Sequence, residues 1–187
     1  MGSNMKSCTS FTRYCVWAFV LLLVAMQARA QLPDDLDAVI EFTNAYISAN
    51  SCESDPTNES RIVQFTHRGA SGRQVPIPNK FAVLWHGDEG CTGGSGTNLP
   101  HISVVLLDSA RKPQFLPGQR STIGGFQVID ELVSASDEDG IVVIGSTWRS
   151  ADAQCCATGY SKAVLKRGRH GFFGSVGETD VARETNH

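Results

Sequence analysis

Two stretches of this chain carry side chains that can do chemistry. The first is GDEGCTGGSGTN, positions 87–98. Asp88, Glu89, Ser95, Thr97 and Asn98 offer ligand oxygens and an amide there. The glycines between them let a ligand approach the backbone closely. His86 and His101 bracket the stretch, and either could act as a base for Ser95. With Asp88 they could also hold a metal, although tight ligand spacing is missing. The second stretch is DAQCC, in which Cys155 and Cys156 are adjacent.

Neither stretch completes a catalytic motif. A nucleophile elbow needs G-x-S-x-G, but Thr97 follows where glycine is required. Ser175 in FGSVG fails in the same way, because Phe173 precedes it. No GxxxxGK phosphate loop or dinucleotide fingerprint occurs. SDEDG, ending at Gly140, lacks the calcium-loop pattern and reads as a solvated turn. Trp85 and Trp148 read as core. The residues therefore give no catalytic set, no metal set and no cofactor. Asp88, Glu89, Ser95, Thr97 and Asn98 remain as a binding set on a hairpin loop that Cys91 pins.

The N-terminus sets the compartment. Lys6 and Arg13 precede an apolar run from Val16 to Met26, and Ala28-Arg29-Ala30 closes the segment. A basic start, a short apolar core and an A-x-A end make a secretory signal peptide. The run is about half of the roughly 20 residues that span a bilayer, so no stable membrane insertion is expected after cleavage. Cleavage would leave 157 residues, with thirteen basic residues against nineteen acidic ones and a net charge of −6. An acidic domain of this size excludes a generic nucleic-acid binder. Its expected location is periplasmic or secreted.

Export explains the cysteines. Cys52, Cys91, Cys155 and Cys156 remain after cleavage, and an even number in an exported chain reads as disulfides. Neighbouring side chains of an extended segment point to opposite faces. Cys155 and Cys156 are therefore expected to pair separately with Cys52 and Cys91. Each closed loop would contribute about 2–4 kcal/mol. Three irregular stretches would then gather at one end of a sheet.

The elements that must position these groups follow from periodicity. Leu36, Val39, Ile40, Thr43, Tyr46 and Ile47 form one apolar stripe, which predicts a helix from Asp34 or Asp35 to about Asn50. Alternating or apolar runs predict strands at 61–67, 80–87, 101–108, 126–136, 141–149 and 160–167. Positions 68–80 and 109–125 read as connections rich in glycine and proline, with a short extended piece near Phe115. The expected fold is α+β. One N-terminal helix packs on an antiparallel sheet of about five to seven strands, stabilised by disulfides. The organisation is a signal peptide over 1–30, one domain over 31–175 and a polar tail over 176–187.

GCTGGSGTN, SVVLLD, DEDGIVVIGSTW and DAQCCATGYSKAVLK together resemble LppP/LprE-like small exported bacterial domains of unknown function. The resemblance covers about 80–167 and is most specific at the paired cysteines. It departs at Ala157, where proline is usual, and in lacking a lipoprotein cysteine. It implies export and a β-rich fold, and it supplies no catalytic residues. The function expected is a non-enzymatic module that binds a protein or another envelope component. The alternative is a small serine hydrolase or a metal-dependent site at the glycine-rich loop.

N-terminal sequencing of protein from the exported fraction is expected to begin at Gln31. Membrane-bound protein that retains the Val16–Met26 run would contradict this.

Overall fold

The computed structural model describes residues 34–89, 99–123, 125–153, 156–167 and 173–180. The chain divides into two compact units, Met1–Asp37 and Ala38–His187. Of the first unit only residues 34–37 are described, and they are helical. Helix α1 covers 34–50. Val39, Thr43 and Ile47, spaced four apart, are buried, and Leu36, Ile40 and Tyr46 are half-buried. The expected stripe is present, but its centre is the line through Val39, Thr43 and Ile47. At the helix end the Asn50 side chain donates to the Tyr46 carbonyl at 2.8 Å.

The strands are β1 (Ser51–Asp55), β2 (Ile62–Arg68), β3 (Gln74–Glu89), β4 (Leu99–Leu107), β5 (Pro113–Thr122), β6 (Phe126–Ser136), β7 (Gly140–Thr147), β8 (Gly159–Arg167) and β9 (Phe173–Asp180). They form one nine-stranded sheet in the order β5-β4-β3-β2-β6-β7-β8-β9, with β1 also paired to β3. The α+β class is as expected, but the strand count exceeds the five to seven expected. The sheet is also mixed, because β2 and β6 run parallel through Phe65↔Ala135 and Thr66↔Ser136. Two antiparallel meanders, β2–β5 and β6–β9, thus meet through their first strands.

β5 and the first part of β3 lie where proline argued against a strand. β3 begins six residues before the expected start, through Pro76 and Pro78, and a register shift in β2 accommodates the change. β5 carries Pro113 and Pro117 and pairs only with β4 in the sheet order, where a missing N–H costs little. β9 runs to Asp180, into the stretch expected to be tail.

The acidic turn SDEDG is not merely solvated. Asp137 N donates to the Thr66 carbonyl at 3.1 Å, and Arg68 N donates to Glu138 Oε1 at 3.1 Å. Asp139 takes Arg68 at 3.4 Å and Gln74 at 3.0 Å, and Lys80 pairs with Asp137. The turn clamps β6 to β2 and β3.

Each meander has an inner face. Phe65, Leu84, Ile102, Ile129, Val143 and Leu165 belong to one core cluster drawn from both meanders. The sheet therefore curls around it, and its terminal strands β5 and β9 approach each other. On the opposite face of β3–β5 lies the helix, where Tyr46 meets Trp85 and Phe115, and Phe42 meets Phe115. Among the described residues no helix is long and apolar enough to cross a membrane.

Strand directions decide what gathers where. β3 is antiparallel to β2, β2 is parallel to β6, and β6 is antiparallel to β7. β3 and β7 therefore end on the same side. The strand ends that flank 90–98 and 148–158 share that side with β1, which pairs with the last residues of β3.

Ile47 is 1 % exposed, whereas Ile40 is only half-buried. In urea melts Ile47→Ala is expected to lower stability by about 2–4 kcal/mol, and Ile40→Ala by less than half as much. Equal losses would place the helix stripe elsewhere.

Candidate functional site

The end of β3 alternates between two environments. Trp85 is fully buried on the helix side, as its core reading expected. His101 is its direct cross-strand partner, and the two rings stack at 4.1 Å with 12° between their planes. The indole donates to Ser103 Oγ at 3.0 Å. His101 Nε2 lies 3.0 Å from the Gly87 carbonyl. A carbonyl only accepts, so that nitrogen carries the proton. Glycine is required at 87 by closeness, since a Cβ there would lie 2.6 Å from Ser51 Oγ and 3.0 Å from the Trp85 ring. His101 is 4 % exposed and belongs to this packed layer.

His86 points the other way. It follows Ala82 and Leu84 on the inner face, at the end from which the glycine-rich stretch departs. It is 6 % exposed, and among the described residues neither ring nitrogen has a hydrogen-bond partner. Burial lowers its pKa to about 4, helped by Arg61 and His101 and opposed by Asp55 and Asp130. At neutral pH the ring is uncharged, with one N–H and one lone pair to offer.

This geometry corrects one reading. His86 and His101 lie on opposite faces of the sheet and do not converge on one metal. Asp88 is buried and shares the inner face with His86 by alternation. Among the described residues no group of three His, Cys, Asp or Glu side chains could hold a metal. Glu89 ends β3, opposite Ser51. Ser95, Thr97, Asn98, Cys91 and Cys155 lie outside the described residues.

Cys52 is disulfide-bonded. Cys156 is exposed. The segment leading to it is held by Asp152, which accepts from Arg149 N at 2.7 Å, Thr158 N at 2.8 Å and Thr158 Oγ1 at 2.5 Å. The Thr158 hydroxyl, then the Arg149 and Thr158 N–H groups, lower the Asp152 pKa. Gln127 Oε1 accepts from Ala157 N at 2.8 Å, so the loop is fastened to β6 as well. Trp148 was expected in the core, but it is 38 % exposed at this end, where Leu99 is 40 % exposed.

Sequence reasoning missed one further contact. Between β1 and β2 the chain leaves β3 and returns, which would strand the Leu84 carbonyl. The buried Thr57 hydroxyl donates to it at 2.9 Å. Asn44 of the helix holds Thr57 in turn, accepting from its N–H at 2.9 Å and donating to its carbonyl at 3.1 Å. No local pattern announces a pairing between a helix amide and a loop threonine. Comparison with protein-family models, curated proteins and solved structures finds no match for this chain.

A lowered histidine pKa has a definite sign. Between about pH 4 and 6.5 the unfolded chain holds a proton on His86 that the folded chain lacks. Stability should therefore rise with pH through that window, and this contribution should be lost as pH falls towards the folded value. His86→Phe is expected to flatten the slope of stability against pH there, and an NMR titration of wild-type His86 should stay flat above pH 5.5. A midpoint near the ordinary 6.5 would mean that the ring is solvated.

Proposed function

We propose that this chain is an exported, non-enzymatic binding module for a cell-envelope component, engaged at the loop-bearing end of its sheet. The observation that carries the proposal is His86. A buried polar group without a partner costs about 1–3 kcal/mol, so a ligand group that both accepts and donates a hydrogen bond is favoured beside it. Trp148 and Leu99 add exposed apolar surface at the same end, the kind of anchor on which interfaces depend. The signal peptide pattern and the resemblance to LppP/LprE-like domains support export to the periplasm or the medium. The disulfide at Cys52 is in keeping with an oxidising compartment. Cys155 or Cys156 is the proposed partner, which would tie β1 to the cysteine loop.

Native mass spectrometry of mature protein from the exported fraction tests the proposal. Wild-type protein is expected to carry a non-covalent adduct that His86→Phe protein has lost. Adduct-free wild-type protein, or an adduct that both proteins keep, would overturn it. A non-reduced peptide map of the same material should join Cys52 to the peptide that contains Cys155 and Cys156. Covalent labelling at Ser95 by a fluorophosphonate would replace the binding reading with a hydrolase.

A further inference from the structure

The loop-bearing end of the inner face carries more negative charge than it balances. His86 lies opposite Asp55 in the β1–β3 ladder, and Asp88 follows it on the same face. Asp130 stands on β6 where the register shifts between Ile129 and Glu131, and its charge reaches the His86 ring. Arg61 is the cation that the ring feels. It is already committed, for it pairs with Asp55 at 2.5 Å and donates to the Pro56 carbonyl at 3.2 Å. Arg61 thus offsets Asp55 and leaves Asp88 and Asp130. Among the described residues neither of these carboxylates has a hydrogen-bond or ion-pair partner. Asp88 is 6 % exposed, and a buried carboxylate without a counter-ion is costly.

His86 narrows the chemistry that would balance them. Its ring is uncharged at neutral pH, and among the described residues both nitrogens are buried and unmet. The lone pair asks for a donor, and the N–H asks for an acceptor. An anion would satisfy only the N–H, and it would lie against Asp88 and Asp130. A metal ion would take only the lone pair, and no group of three ligands surrounds it among the described residues. An ammonium donates to the lone pair and to carboxylates together, and its charge keeps the ring neutral. A neutral oxygen on the same molecule would accept from the N–H.

Resting on the binding reading of this end, we propose that its ligand is a compact organic ammonium with a neutral oxygen close by, held by Asp88, Asp130 and His86. Amino sugars and basic amino-acid side chains share that chemistry. The test titrates two matched pairs of probes into the mature protein. Glucosamine is set against N-acetylglucosamine, and Nα-acetyl-lysine amide against Nα-acetyl-norleucine amide. The backbone amide shifts of Gly87 and Ile129 read binding. One ammonium is expected to saturate at about tenfold lower concentration than its neutral partner, and whichever does so names the source. Asp130→Asn, a change at an exposed position, should weaken that binding about three- to fivefold, and Asp88→Asn by about tenfold or more. Equal binding of charged and neutral partners, or undiminished ammonium binding by Asp130→Asn protein, would overturn the proposal. So would failure of both ammonium probes to saturate. If the adduct that depends on His86 is then still present, the binding module stands, with a ligand of different charge. Saturation by an ammonium in protein that carries no adduct would keep this site and overturn the envelope component alone.

Discussion

The molecule depends on a narrow seam. Two antiparallel meanders, each held by long ladders, are joined to one another through only two parallel residue pairs between β2 and β6. A two-residue parallel contact is weak, and the acidic turn after β6 compensates for it. Thr66 Oγ1 donates to the Ala135 carbonyl at 3.2 Å, continuing the seam with a side chain. Ser136 Oγ donates to Glu138 and accepts from the N–H groups of Glu138 and Asp139, which shapes the turn to reach back. Because backbone groups supply much of this clamp, its strength does not rest on exposed ion pairs, which contribute little.

What the seam fixes, the rest of the structure uses. It sets β7 parallel to β3, and so brings the C-terminal ends of these two strands to one side. It also places the inner faces of the two meanders against each other, which closes the core that shelters His86. The opposite face of the first meander needs its own cover, and the helix supplies it. Asn44 holds that helix in register by gripping Thr57, while Trp85 and His101 form the layer beneath Tyr46. The two histidines, close in register, thus end in unrelated environments. One is satisfied in a packed layer. The other is buried with both ring nitrogens unmet.

The sequence was informative where the period was clean. The helix, the inner strands and the turn before Gly140 all appear in the pattern of apolar residues. β5 and the start of β3 were hidden because Pro76, Pro78, Pro113 and Pro117 read as breaks, and the sheet tolerates them at a bulge and on a terminal strand. The parallel seam was hidden for a different reason. Nothing local distinguishes Phe65 and Thr66 from residues of any other strand, and their partners lie far along the chain. His86 and His101 looked equivalent because both flank one loop, yet their positions on the pleat oppose them. The left-handed backbone of Arg111, at φ 61°, was invisible, since such a residue announces itself only when it is glycine or asparagine.

The seam also sets an order of assembly. Hairpins within each meander close over short connections, so they form from local contacts. The bond from Arg68 to Glu138 spans 70 residues, and the second meander must exist before the first can be completed. Closing a loop that long carries an entropic cost that grows only with the logarithm of its length. The delay therefore lies in waiting for a distant edge to arrive, more than in the free energy of closing on it. Until then β2 presents an open hydrogen-bonding edge, the surface on which one chain can pair wrongly with another. The acidic turn that later clamps the seam puts charge beside its counterpart, the first strand of the second meander, and like charge there discourages premature pairing between copies.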